Sequence, residues 1–542
     1  MNVPTKELVA QVVDLRVSFA TEDGLVQAVK GVDLEIRAGE ILAIVGESGS
    51  GKTVLSSCLM GLPPTSRKTT VTGSVLIAGV DMIEGDEKLR REVRRNLLGA
   101  VFQDPLTSLD PMMKIGAQVR ERGATQQRGV DALVDCGVPE PEMRMDQWPH
   151  ALSGGLRQRV SIASALTTDI RPPVSSGVDS TRIGELVAAQ DGTPILLIAD
   201  EPTTALDVRV QAQIIALFAR LREEHDCSIV LITHDLGVAG QIADRVAVMY
   251  QGELVEVGPT EQVLRDPQHE YTRRLLDARL DIKKVFATAE REPAVDVSAA
   301  PDLVLTDIVK SYPKAGGRRG ERLTVVNGVS LSVPRGGSLA LVGESGCGKS
   351  TLLRIATGLT AADSGTVGSR DGERPQLVFQ DAGSSLTPWL SIESQIGERL
   401  RSRRFSRAER AEETNRLLGR VGLDTRAARA RPRELSGGQR QRAAIARALA
   451  SNPNILVCDE PVSALDASLA ARVLDLLEEL RETMGIAILM VTHDLAVAKR
   501  ISNTVAVMYA GEIIERGSSS EVFASPQHPY TRELLAASPT IY

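Results

Sequence analysis

Short apolar runs recur along the chain, each closed by a turn or a helix start. ILAIVG at 41–46, ILLIAD at 195–200 and SIVLIT at 228–233 have later counterparts in SLALVG at 338–343, NILVCD at 454–459 and AILMVT at 487–492. Runs this short and this uniformly apolar read as strands buried on both faces, the pattern of a parallel sheet covered by helices. Strand–loop–helix alternation around them predicts an α/β fold with parallel sheets. No run of about 18 apolar residues occurs, so the pattern predicts no membrane span. Any crossing of a bilayer would have to come from other chains.

The pairing of these runs reflects duplication of a whole domain. GESGSGKT at 46–53 returns as GESGCGKS at 343–350, LSGGLRQR at 152–159 as LSGGQRQR at 435–442, and LLIADEPTTALD at 196–207 as LVCDEPVSALD at 456–466. ITHDL and VTHDL follow at 232 and 491, and HEYTRRLL at 269–276 returns as HPYTRELL at 528–535. Domain boundaries at 1–280 and 302–542 follow, with a linker at 281–301 where periodicity is lost and Pro293 and Pro301 stand.

The halves differ in two places. Arg159 to Asp200 spans 41 residues against 17 for Arg442 to Asp459, so the first half carries 24 more. They fall between Arg171 and Pro194, in a Pro- and Ser-rich stretch followed by a short helical-looking RIGELVAAQ. That composition predicts a surface loop, and the twin domain lacks it, so its removal is expected to leave hydrolysis intact. Lys52 to Gln103 is 51 residues against 31 for Lys349 to Gln380, which predicts a strand-and-loop piece trimmed from the second half.

Bulk properties narrow the function classes. Lysine plus arginine is 63 against 70 acidic residues, a net charge of −7, which argues against a nucleic-acid-coating protein. The basic clusters at Arg90–Arg95 and Arg401–Arg407 have almost no interleaved aromatics and read as solvated helix faces. Five scattered cysteines without a CxxC pair exclude a disulfide framework and fit a reducing cytosol. The first residues, with Pro4, Glu7 and Asp14, predict no signal peptide.

The chemistry lies in the repeated motifs. Gly46, Ser48, Gly49, Gly51, Lys52 and Thr53 fit GxxxxGK[ST] after a strand, as do Gly343, Ser345, Gly346, Gly348, Lys349 and Ser350, with Thr351 next. Glycines let backbone N–H groups curl around phosphates, and the helix start directs its positive end at them. Lys52 and Lys349 reach the β- and γ-phosphates of ATP, and Thr53 and Ser350 are placed to ligate Mg²⁺. One such match could be a bland glycine turn; two, each after a strand, are not. Asp200 and Asp459 end apolar strands, where a carboxylate can hold the Mg²⁺ shell. Glu201 and Glu460 follow, where a second carboxylate can orient or deprotonate the attacking water, against the plainer reading of a strand-end acid that caps a helix.

The LSGGxRQR segments between these motifs resemble the signature of ABC ATPases, and nearly the whole chain follows that family's order. The resemblance implies two tandem ABC-type domains. Each would be a RecA-like parallel-sheet core with an antiparallel β subdomain and a helical signature subdomain. It implies that Gln103 and Gln380 are Q-loop glutamines touching Mg²⁺ and water, and that His234 and His493 are switch histidines. Ser153, Gly154 and Gly155, and Ser436, Gly437 and Gly438, would be nucleotide contacts made to the ATP of the opposite domain. Phe19 and Tyr312 sit where an aromatic stacks on adenine; either is equally readable as a strand core residue. Leu156 departs from the usual signature glutamine.

HEYT, HPYT and FQDPLTSLDP at 102–111 resemble the ATPases of dipeptide, oligopeptide and nickel importers. This resemblance implies an ATP-hydrolysing subunit at the cytoplasmic face of the inner membrane. Its partners would be two transmembrane permease subunits and, indirectly, an extracytoplasmic solute-binding protein. Short peptides are the expected solute, with nickel or another small solute as the alternative. Asp381-Ala382-Gly383 departs from the family, which has proline there, and the cysteines that hold an iron–sulfur cluster in many relatives are missing from both halves, so no cluster is expected. A soluble tandem ABC ATPase acting on ribosomes is the rival of another class. Such proteins normally have a long charged linker and lack the switch histidine.

Overall fold

The computed structural model describes residues 7–538 apart from 22–23, 66–67, 104–107, 168–182, 184, 188–192, 205, 279–299, 314–320, 404 and 464. The chain divides into two compact units, essentially on either side of Ala278. Most of the expected linker lies outside the described residues, as do Ala205 and Ala464 of the two ALD segments.

In the first unit, β1 (Leu8–Thr21), β2 (Gly24–Arg37), β4 (Thr69–Ile77) and β5 (Val80–Asp81) form an antiparallel sheet in the order β2-β1-β4-β5. The core sheet runs β10-β9-β3-β8-β7-β6, from β3 (Ile41–Val45), β6 (Leu98–Val101), β7 (Leu196–Asp200), β8 (Ser228–Thr233), β9 (Arg245–Tyr250) and β10 (Glu253–Pro259). All its pairs are parallel except β9 with β10 at the edge. The strands read from the apolar runs are those of the core, and every residue of β3, β7 and β8 is buried. Helices at Ile115–Val119, Gln126–Asp135, Pro141–Met145 and Gly154–Leu166 pack around Ile115, Leu133 and Val160 in one cluster with the core-strand residues Val101, Leu197 and Ile229.

The second unit repeats this plan. β11 (Leu303–Pro313), β12 (Arg322–Val333) and β14 (Ser364–Ser369) are antiparallel in the order β12-β11-β14. β13 (Ser338–Val342), β15 (Gln376–Val378), β16 (Ile455–Asp459), β17 (Ala487–Val491), β18 (Thr504–Tyr509) and β19 (Glu512–Ser518) form the core, in the order β15-β16-β17-β13-β18-β19.

Two expectations need correction. The piece missing from the second half is β5 together with a helix, Glu87–Asn96, and a 3₁₀ turn at Arg370–Gly372 replaces both. The basic run at Arg90–Arg95 is the solvated face of this helix, as its composition predicts: seven of its ten residues, EKLRREVRRN, are charged, and only Val93 and Asn96 are buried. The insert of the first half is not all surface loop. Ile183 is fully buried, and Leu186 and Val187 pack against the same core cluster, which contains Val93, Leu97, Leu98 and Ile198. Their i, i+3, i+4 spacing is that of a helix with one apolar face, and Glu185 between them is exposed. The rest of the insert lies outside the described residues.

Candidate functional site

The phosphate loop starts where β3 ends. Gly46 turns at φ 157°, and a Cβ there would meet the Met249 carbonyl oxygen at 2.2 Å. Gly51 caps the following helix, Lys52–Leu59, from φ 105°, against the Ala28 carbonyl. No side chain caps that helix, and its first turn holds no acid, so its leading N–H groups are left for an anion. Gly49, Ser48 and Thr53 form the exposed rim. The Lys52 ammonium donates to the carbonyls of Gly46 at 2.7 Å and Glu47 at 2.8 Å. The second unit matches: Gly343 lies against Met508, Gly348 caps Lys349–Ala356, and Lys349 donates to Gly343 and Glu344 at 2.7 and 2.6 Å.

The strand-end acids stand beside these helices. Ser56 donates to Asp200 Oδ2 at 3.1 Å, and Ser350 donates to Asp459 Oδ1 at 3.4 Å. Asp200 Oδ1 is buried and has no hydrogen-bond partner. Burial raises the pKa of both aspartates above the usual range, and the neighbouring Glu201 and Glu460 add to it. In the first unit, a buried carboxylate oxygen without a donor, on an aspartate beside the Thr53 hydroxyl, fits a hard divalent cation.

Glu201 and Glu460 each continue the core pairing by one N–H, to the Ile232 and Val491 carbonyls, in the left-handed conformation at φ 47° and 45°. Their carboxylates collect the other predicted groups. Gln103 Nε2 donates to Glu201 Oε2 at 2.9 Å, and Gln380 Nε2 donates to Glu460 Oε2 at 2.9 Å. His234 Nδ1 lies 3.3 Å from Glu201 Oε1, and His493 Nδ1 lies 3.2 Å from Glu460 Oε2. Thr204 adds a hydrogen bond to Glu201 at 3.0 Å, a partner that the motifs did not single out, as was Ser56. Burial opposes ionisation of each glutamate and histidine. Their mutual hydrogen bond and charge outweigh it, lowering the glutamates and raising the histidines.

The signs fix a pH dependence. A raised histidine pKa contributes stability that is fully present below the ordinary value of 6.5 and lost as pH rises through the folded value. The lowered glutamates contribute above 4.5 and lose it as pH falls through theirs. Nucleotide-free protein is therefore expected to lose stability as pH rises past neutrality, and His234→Ala with His493→Ala to flatten that slope. Melting temperature across this range checks it; identical slopes in both proteins would sink the pairing.

The signature serines cap their helices. Ser153 Oγ accepts from Leu156 N at 3.4 Å, and Ser436 Oγ accepts from Gln439 N at 3.3 Å. Gln439 also receives the Ser436 N–H at 3.0 Å, completing a capping box. Leu156 cannot do this and packs against the helical cluster instead, which is the physical content of that departure. Gly155 and Gly438 bring these helix starts against Val210 and Leu469, where a Cβ would lie 2.9 and 3.0 Å away; Gly154 and Gly437 are less confined. Phe19, on β1, is part-buried against the core, whereas Tyr312 is exposed, with Lys310 Nζ 5.7 Å from its ring centroid. Neither joins the Glu–His–Gln cluster. At the other family departure, Asp381 accepts from Gly383 and Ser384 and caps a four-residue helix, Ala382–Ser385.

Residues 29–171 and 326–463 match the ABC transporter family, and residues 255–299 and 514–542 match the C-terminal region of oligopeptide/dipeptide transporters. The chain belongs to the ABC transporter family. It is an ATPase with two such domains in one chain. It is 38% identical to the glutathione import ATP-binding protein GsiA of Pectobacterium atrosepticum, over 99% of this chain and 90% of that one. It is 40% identical to the peptidoglycan transport ATP-binding protein YejF of Agrobacterium fabrum, over 97% and 95%. Among solved structures, an RNase-L inhibitor matches at TM-score 0.60 and 20% identity, covering 93% of this chain and 90% of that one, a likeness of fold alone. Among the described residues, no helix is long and apolar enough to cross a membrane.

Proposed function

We propose that this chain is the ATP-hydrolysing subunit of an importer for short peptides, working at the cytoplasmic face of the membrane with two permease subunits and an extracytoplasmic solute-binding protein. The observation that carries it is the transporter C-terminal region present in both halves. The named relatives add to it, since glutathione is itself a short peptide. Glu201 and Glu460 would accept the proton of the attacking water, held in place by His234 and His493 and by Gln103 and Gln380. Lys52 and Lys349 would exchange loop carbonyls for phosphate oxygens. Thr53, Ser350, Asp200 and Asp459 would hold Mg²⁺, which supplies charge neutralisation on the phosphates. As the family resemblance implies, each signature would serve the nucleotide of the other half.

A matched pair of exposed apolar side chains supports the permease partners. Met112 and Trp389 each lie nine residues after their Q-loop glutamine, and they are 85% and 72% exposed. Large apolar groups so exposed at equivalent places suit a protein contact. A strain lacking this protein should lose uptake of labelled di- or oligopeptides, and the chain carrying Met112→Asp and Trp389→Asp should fail to restore it. Normal peptide uptake with impaired nickel uptake would move the solute to nickel. Normal uptake of both with a translation defect would overturn the importer reading.

A further inference from the structure

The HEYT and HPYT segments reach the two phosphate loops. The Glu47 N–H donates to the Tyr271 hydroxyl oxygen at 3.0 Å, and the Glu344 N–H donates to the Tyr530 hydroxyl oxygen at 2.9 Å. Glu47 and Glu344 are the second residues of the two phosphate loops. Their carbonyls receive Lys52 and Lys349. Each loop is thus held at one residue from both sides, by the phosphate-loop lysine and by a tyrosine 224 residues away in the first half and 186 in the second.

The tyrosines are aimed by the motif around them. Glu256 on β10 accepts the N–H groups of Gln268 and His269 at 2.8 and 3.1 Å, and His269 Nδ1 accepts the Tyr271 N–H at 3.1 Å. Glu515 on β19 accepts those of Gln527 and His528 at 2.7 and 3.1 Å, and His528 Nδ1 accepts the Tyr530 N–H at 3.1 Å. Tyr271 stacks on Tyr250, which ends β9, with centroids 4.0 Å apart, and Tyr530 packs tilted against Tyr509, which ends β18, with centroids 4.5 Å apart. Tyr271 and Tyr530 are 3% and 5% exposed. A purely structural reading makes them core aromatics. Phenylalanine would fill that core equally well, and only the hydroxyl reaches the loop, in both halves and at the same loop residue.

We propose that Tyr271 and Tyr530 are positioning residues of the two ATP sites, fixing the strand end of each phosphate loop so that the remaining N–H groups converge on the phosphates. When nucleotide draws Lys52 or Lys349 away, the tyrosine is the contact that keeps Glu47 or Glu344 in place. The transporter C-terminal region then reports directly on the phosphate loop. This rests on ATP binding at the two phosphate loops.

The test is steady-state ATPase kinetics and melting of the full chain with Tyr271→Phe, Tyr530→Phe and both. Loss of one neutral hydrogen bond per site should raise KM for ATP roughly three- to tenfold. The melting temperature and kcat should stay near those of the unaltered protein, because ring packing and the reacting groups are kept. Tyr271→Leu with Tyr530→Leu, which also removes the rings, should lower the melting temperature as well. An unchanged KM in the double phenylalanine variant, whatever its melting temperature, would overturn the proposal and leave the tyrosines as core aromatics. An unaltered chain that neither binds nor hydrolyses ATP would overturn the site reading beneath it instead.

Discussion

Replacing Glu201 and Glu460 together by glutamine is expected to abolish ATP turnover while ATP still binds. Glutamine keeps the size and the hydrogen-bonding reach of glutamate but cannot take a proton from water. General-base catalysis contributes about 10²–10⁴-fold, so the rate should fall by at least about two orders of magnitude. The phosphate cradle of Gly46–Thr53 is untouched, so nucleotide affinity should stay close to its original value. Binding by a fluorescent ATP analogue and phosphate release under single turnover separate the two effects. Full turnover in the double variant would remove these carboxylates from the chemistry. A parallel loss of binding would place them in the cradle.

The second large effect concerns the insert. Ile183→Asp puts an ionisable group where Ile183 has no exposed surface, among Val93, Leu97, Leu98 and Ile198. An unpaired carboxylate in apolar surroundings costs several kcal/mol. For a domain of this size that is a fall on the order of 10 °C in the unfolding of the first half. Glu185→Lys, on the exposed face of the same turn, should change little. Differential scanning calorimetry of both variants decides it. An unchanged transition in Ile183→Asp would detach the insert from the core and restore the surface-loop reading.

The fold core was legible because its strands are short, wholly apolar and repeated, and the phosphate chemistry because its motifs are contiguous. What escaped notice was spread out or masked by composition. The arginines at 90–95 mark a solvated helix face, but they do not mark this helix, Glu87–Asn96, as what the second half lacks. RIGELVAAQ looks helical in sequence, but the prolines and serines around it conceal that Ile183, Leu186 and Val187 pack against the core. Thr204 lies within the DEPTTALD motif, but its hydrogen bond to Glu201 depends on the turn at that glutamate. Tyr271 and Tyr530 were visible only as family markers, because the contact that matters joins distant parts of the chain.

The left-handed backbone of Glu201 and Glu460 sets stability against activity. A side chain held there costs about 1–2 kcal/mol relative to the ordinary right-handed region. Under the roles proposed for these glutamates, glycine would relieve that strain and also remove the carboxylate, so the most comfortable residue for the chain at this turn would be one that cannot hydrolyse ATP. Selection for thermal robustness alone would push both sites toward inactivity, and only selection on turnover holds the two glutamates where they are.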